Sequence, residues 1–357
     1  LGNVISPYEI IDKYGADVLR YYMCQTQAGE DIKFSWDDVK LKHRNLMVLW
    51  NLHKYIIDYA VSSGIKLKNY NAVKKELTEV EKYIISRTES TVKRVTELYE
   101  NYKLDETIEP IEELFLELSR TYIQLIREKS VFGNDSEKEA VLYTMYTVLL
   151  KVITMFSTIC PFITESIYQN FKSEFKLKES SIHNLSWLKV DEKQIDTKLE
   201  EQFEHLKKVI QSVLFTREKA QLGVRWPVLE VVIVSMDPKV REAIKDLELL
   251  LKTQTNVKKV LVKDKFSLLK EELKINTTHI WKTFGSDGKE IITKLESVDK
   301  DKILSELKKG KYNLKIKSKD YEFGAEFFSI TRIVPEEYIE SDFKSGFVYL
   351  NKTRNDE

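Results

Sequence analysis

Cysteine is nearly absent. Cys24 and Cys160 are the two in 357 residues, far apart, with no second Cys or His at ligand spacing. That argues against a disulfide framework and a zinc site, and suits a reducing cytoplasm. An excess of either charge is lacking too: Lys plus Arg and Asp plus Glu stand at 57 each. Whole-chain charge therefore gives nothing in favour of nucleic acid, and any RNA contact has to come from a local basic surface. No window reaches the roughly eighteen uncharged apolar residues of a membrane span; the most apolar run, Leu149 to Phe162, is broken by Lys151 and Pro161. No basic stretch followed by an apolar one opens the chain. Catalytic signatures are missing as well: no HxxxH, CxxC, GxSxG or phosphate-binding loop occurs. The five histidines, His43, His53, His183, His205 and His279, are scattered singly. The paired carboxylates Glu112 and Glu113 read as a solvated helix face.

What is present is a globular composition, 42% hydrophobic and 32% charged, over a length that implies two or three domains. Ser6-Pro7-Tyr8-Glu9 places a hydroxyl, a proline and a carboxylate in capping-box order, which predicts a helix stopping at Gly15. A second helix over Ala16 to Met23 follows, and Ile32 to Trp36 alternates like a short strand. From Val39 to Phe171 the pattern is helical. Leu46, Leu49, Trp50, His53 and Ile57 form one stripe, and Ile84, Thr88, Val92, Val95, Leu98 and Tyr102 form the next. Ile111, Leu114, Phe115, Leu118, Tyr122 and Leu125 repeat in the same way. Ser136-Glu137-Lys138-Glu139 predicts the cap of a nearly all-apolar helix that Pro161 ends or kinks. Long amphipathic helices joined by short polar loops predict an antiparallel bundle.

The texture then changes. Thr197-Lys198-Leu199-Glu200 predicts the cap of a helix to about Ala220, closed by Gly223. Val231 to Val234 and Val257 to Val262 read as strands, with a helix between them started by Asp237-Pro238. Further on, Lys289 to Lys308 reads as a helix, and Tyr312 to Lys317 and Gly346 to Leu350 as strands. The fold class is therefore mainly α: a short leading segment over 1–38, a helical bundle over 39–190, an α/β module over 191–265 and a further α/β module over 266–357.

Certain segments carry more than periodicity. Leu1-Gly2-Asn3-Val4, the run Tyr14-Gly15-Ala16-Asp17-Val18-Leu19-Arg20, and Gly29-Glu30-Asp31 before Phe34-Ser35-Trp36 occur in this order. Ser119-Arg120-Thr121-Tyr122-Ile123, Pro161-Phe162-Ile163-Thr164-Glu165 and Trp187 follow. This series resembles the class I aminoacyl-tRNA synthetases for isoleucine, valine and leucine, from just after their KMSKS loop into the anticodon-binding bundle. Arg217-Glu218-Lys219-Ala220 with Gly223-Val224-Arg225-Trp226-Pro227, and later Thr283-Phe284-Gly285, resemble the isoleucyl enzymes of archaeal and eukaryotic cytoplasmic type. The likeness covers nearly all of the chain, more strongly to about residue 263.

The resemblance implies a tRNA-binding part of such an enzyme, with tRNA(Ile) and the upstream catalytic domain as partners, no membrane, and a cytoplasmic location. ATP and Mg2+ are implied for the full-length enzyme and no cofactor for this segment, which is expected to be inactive alone. Thr164 is expected to cap a following helix. Independently of any family, Arg217, Lys219 and Arg225 cluster around one helix end and Trp226 adds a planar face. Cations beside an aromatic platform are how unstacked RNA is held. The competing reading packs Trp226 under the strand with Arg225 over it. Arg120 and Arg127 are further candidates, the alternative being ion pairs inside the bundle. Valyl or leucyl specificity, and a helical protein-interaction scaffold without RNA, are the other functional readings.

Overall fold

The computed structural model describes residues 5–26, 34–268, 270–307, 310–316 and 319–353. It divides into two compact units, Leu1–Glu204 and His205–Glu357.

The first unit is helical. α1 (Pro7–Tyr14) and α2 (Ala16–Met23) meet at Gly15, whose φ of 91° is one an L side chain adopts only under strain. Ser6 is the N-cap residue but its side chain makes no cap hydrogen bond, so Pro7 at N1 carries that helix start. The strand expected over Ile32 to Trp36 lies partly outside the described residues. Its last two residues belong to a helix start: Ser35 Oγ accepts the Asp38 N–H and opens α3 (Trp36–Ser63). α4 (Tyr70–Val73) precedes α5 (Glu79–Glu100), which is opened by a reciprocal Thr78–Glu81 capping box. α6 (Ile108–Glu117) runs through a π-helical turn at Leu118–Tyr122 into α7 (Ile123–Leu125) and α8 (Arg127–Phe132). α9 (Asp135–Phe156) is capped by Asn134 with Glu137, two residues earlier than Ser136 suggested. α10 (Pro161–Phe175) starts on its proline, so Pro161 separates two helices and kinks neither.

The apolar stripes reach the core largely as their periods require. Leu46, Leu49, Val92, Val95, Ile111, Leu114, Phe115, Leu118 and Tyr122 are buried. Other positions differ. Ile56 and Ile126 are buried in place of Ile57 and Leu125, Trp50 is half-buried, and Tyr102 lies beyond the end of α5, 88% exposed. α9 is long and apolar enough to cross a membrane, yet 67% of its apolar window is buried in protein. It is the central core helix of the bundle.

One carboxylate inside this unit gathers several partners. Glu112 is not a solvated carboxylate: it accepts from Tyr21 Oη, from Lys42 Nζ at 2.5 Å and from Asn45 Nδ2 at 3.0 Å. This ties α2 and α3 to α6. Glu113 is exposed as expected.

The second unit contains α/β structure. The long helix α11 (Thr197–Lys219), within which the division between units falls, begins one residue after Asp196. Asp196 Oδ1 accepts the Leu199 N–H, so Asp196 does the capping expected of Thr197. β1 (Val228–Val234) and β2 (Val257–Lys263) are parallel, joined by α12 (Pro238–Asp246) and α13 (Glu248–Thr255). The expected single crossover helix is two, broken at Leu247. β3 (Lys270–Ile275), α14 (Thr277–Phe284), α15 (Gly288–Glu296), α16 (Lys300–Leu307), β4 (Tyr312–Ile316), β5 (Lys319–Phe323) and β6 (Phe328–Ile333) follow. β3 pairs with β6 and β4 with β5 around a core that includes Leu273, Ile280, Ile291, Leu295 and Phe323. The last two strands, β7 (Tyr338–Phe343) and β8 (Gly346–Asn351), return to the first sheet, whose order is β2-β1-β8-β7. The expected border near residue 266 is therefore crossed by strand pairing: β8 lies antiparallel to β1 with Val231 opposite Leu350. Residues 270–333 form an insertion between strands of one sheet.

A candidate RNA-binding surface

α11 ends in a Schellman arrangement. The Leu222 N–H reaches Arg217 O at 2.9 Å and the Gln221 N–H reaches Glu218 O at 2.9 Å, with Gln221 in the left-handed conformation at φ 55°. Closure thus falls on Gln221, and the expected Gly223 takes another part. Gly223 O accepts the Trp226 N–H at 3.1 Å, which folds 223–226 into a turn.

Inside that turn sits Arg217, fully buried. Its Nη1 donates to Thr255 O at 3.1 Å, and its Nη2 to Gly223 O at 2.6 Å and to Trp226 O. Burial pushes the pKa of the guanidinium down from its ordinary value. The expectation of Arg217 as a phosphate contact is corrected: an enclosed fork bound to backbone carbonyls is a positioning group. From the other side Asn256, left-handed at φ 50°, donates Nδ2 to Val224 O at 2.9 Å and to Arg225 O at 3.2 Å. Sequence reading missed Asn256; an Asn just after a predicted helix and before a strand was the available signal.

With its carbonyls held from within, the turn presents its side chains outward. Trp226 is 71% exposed, so it does not pack under the strand, and Val224 and Arg225 are exposed as well. Lys219 is exposed on the last turn of α11, its Nζ 4.8 Å from the ring centre of Phe215, itself 52% exposed. Arg217, Lys219, Arg225 and Trp226 thus belong to one helix end and its turn.

Arg120 and Arg127 lie in the other unit. Arg120 is on the π-helical turn and Arg127 opens α8; both are exposed and neither has an ion pair among the described residues. The bundle-internal ion pairs considered for them are not formed.

Two of the ordered sequence runs meet in space. Asp17 is buried; its Oδ2 accepts the Ile163 N–H at 2.8 Å at the start of α10, and its Oδ1 accepts from Arg20 at 2.9 Å. The Arg20 guanidinium lies 4.8 Å from the ring centre of Phe162. Asp17 therefore satisfies an orphan N–H of α10, a helix whose N-cap, Cys160, offers no side-chain acceptor. Thr164 does not cap a following helix: it is buried within α10 and donates to Cys160 O at 2.8 Å. Its neighbour Glu165 accepts the Ser181 hydroxyl at 2.8 Å and the Ile182 N–H at 3.0 Å. Trp187 donates to Thr96 Oγ1 at 2.9 Å, edge-on to Tyr99. Among the described residues no three His, Cys, Asp or Glu side chains converge as a cation site requires.

The bundle and its exit match a known family model. The anticodon-binding domain of tRNA ligases matches residues 81–233, a range that contains Arg120, Arg127, Arg217, Lys219, Arg225 and Trp226. The model of class I tRNA synthetases (I, L, M and V) matches residues 1–35. The isoleucine–tRNA ligase of Pyrococcus furiosus is 30% identical over 99% of this chain and 33% of its own length. That of Methanothermobacter thermautotrophicus is 30% identical over 98% of this chain and 34% of its own. The chain thus spans about a third of the length of these relatives. A crystal structure of an Agrobacterium radiobacter K84 LeuRS–tRNA–LeuAMS complex overlaps with a TM-score of 0.41 at 17% identity, over 55% of this chain and 22% of that one. Over the segments compared, the chain is similar to class I tRNA synthetases at residues 1–35, to the anticodon-binding domain of tRNA ligases at residues 81–233, and to isoleucine–tRNA ligases along nearly all of its length.

Proposed function

We propose that this chain is the tRNA-binding part of an isoleucyl-tRNA synthetase, holding the anticodon region of tRNA(Ile). The observation that carries the proposal is the 223–226 turn. Its backbone is held by Arg217 from inside and by Asn256 from the other side, while Arg225 and Trp226 face solvent. A fixed backbone lowers the ordering cost of binding, and a cation next to an exposed indole suits phosphate and an unstacked base. Lys219, Arg120 and Arg127 supply further exposed cations within the matched domain. The whole enzyme would ligate isoleucine to its tRNA in the cytoplasm using ATP and Mg2+. That chemistry is assigned to residues outside this chain.

Binding of labelled tRNA(Ile), tRNA(Val) and tRNA(Leu) to the chain at low salt tests the reading. Tightest binding to tRNA(Ile) is expected. Preference for either of the others would sink the isoleucine assignment, and no binding to any tRNA would sink the RNA role. Isoleucyl-adenylate formation by the chain alone would contradict the placement of catalysis elsewhere.

A further inference from the structure

An open trough of about 520 Å³ lies at the tip of the β7–β8 hairpin, bordered by the end of α11. Lys219, Lys344, Phe343, Phe347, Glu340 and Asp342 line it. The tip is firmly built. Ser235 Oγ donates to Ser345 O at 2.6 Å. A Cβ on Gly346 would lie 2.0 Å from Val234 O and 3.0 Å from the Phe343 ring, so only glycine permits this close approach of hairpin, strand and ring. Among the described residues no ion pair engages Lys219, Lys344, Glu340 or Asp342.

The chemistry of the lining narrows the ligand. A plain anion would meet two carboxylates as well as two ammonium groups. A nucleotide carries its negative charge on the phosphate and N–H donors on the far edge of the base, with a flat ring between. Lysines suit the phosphate, phenylalanines the base face, and carboxylates an exocyclic amino group. We propose that this trough is a subsite for one unstacked nucleotide of the bound RNA, one whose base bears an amino donor. The proposal rests on the tRNA-binding reading above and gives it a second contact beyond the 223–226 turn.

The test separates the two ideas by using short RNA. Pentacytidylate and pentauridylate are titrated into the full chain at low salt, alongside tRNA(Ile). Pentacytidylate is expected to bind more tightly than pentauridylate. Lys219→Ala with Lys344→Ala, both at exposed positions, should weaken it at least fivefold and lower the slope of log K against log salt by about 1.4. Phe343→Ala should weaken it at least fivefold, with Phe343→Trp restoring binding. Equal affinity for the two oligomers, no binding of pentacytidylate, or unchanged binding by the double lysine variant overturns the subsite. Failure of tRNA(Ile) to bind overturns the wider reading whatever the oligomers do.

Discussion

Arg217 and Trp226 stand close in sequence and have opposite environments. Arg217 is fully enclosed, and its neighbours are backbone carbonyls, not carboxylates. Lysine keeps the charge but has no planar fork to reach the same carbonyls. Arg217→Lys is therefore expected to lower the stability of the second unit by about 2–3 kcal/mol in chemical denaturation. Trp226, 71% exposed, should behave in the reverse manner. Trp226→Ala is expected to change stability by less than about 0.5 kcal/mol while weakening tRNA at least roughly fivefold. A large stability loss from Trp226→Ala, measured in the same denaturation experiment, would return the indole to a core role. Charge and spacing in the sequence could nominate both residues, but could not say which one faces water. A buried arginine and an exposed one look alike until the elements around them are placed.

At the scale of elements, helix ends show most clearly what short-range rules see. Pro7, Pro161 and Pro238 each open a helix as their fixed φ requires. Caps chosen by residue type alone slipped by a residue or two, to Asn134 and Asp196, because several Ser, Thr, Asn and Asp stand within each turn. The start of α10 was harder, since its acceptor, Asp17, comes from a helix distant in sequence. The end of the following loop is tied in a comparable way by Glu165. Burial raises the Glu165 pKa, but Gln169, the Ile182 N–H and Ser181 outweigh it and hold the carboxyl below its ordinary value of 4.5. A depressed folded value means the stabilisation is complete above the unfolded value and is lost as pH falls through the folded one. Glu165→Gln is expected to cost about 1–2 kcal/mol at neutral pH. The wild-type advantage should shrink below pH 4.5, as pH-dependent denaturation of the two proteins would show. An unchanging difference down to pH 2 or so would remove the carboxylate from that role.

For the whole molecule, a net charge of zero leaves any RNA affinity to local cations. Lys219, Arg225, Arg120 and Arg127 are the exposed candidates within the matched domain. If all engage phosphate, log K for tRNA should fall with log salt at a slope of about 3. A slope near zero, with binding retained, would point to apolar association and favour the scaffold reading. The same scale explains why the last ninety residues were least legible. β7 and β8 complete a sheet begun by β1 and β2, more than seventy residues earlier by the element bounds. Pairing between strands so far apart leaves no local period, and Tyr338–Phe343 lacks the β-branched run that marks β1.

The class of fold, the bundle's apolar faces and the order of the motifs could all be read from the chain before any packing was known. Each depends on residues three or four apart, or on short contiguous runs, where chain geometry is nearly fixed. Tertiary structure alone decided that Arg217 turns inward and Trp226 outward, that Asp17 meets Ile163, and that Glu112 is a shared acceptor. It also decided that the insertion 270–333 sits between strands of one sheet. These outcomes depend on which buried donors and acceptors lack partners once distant elements pack, and that accounting closes only in three dimensions.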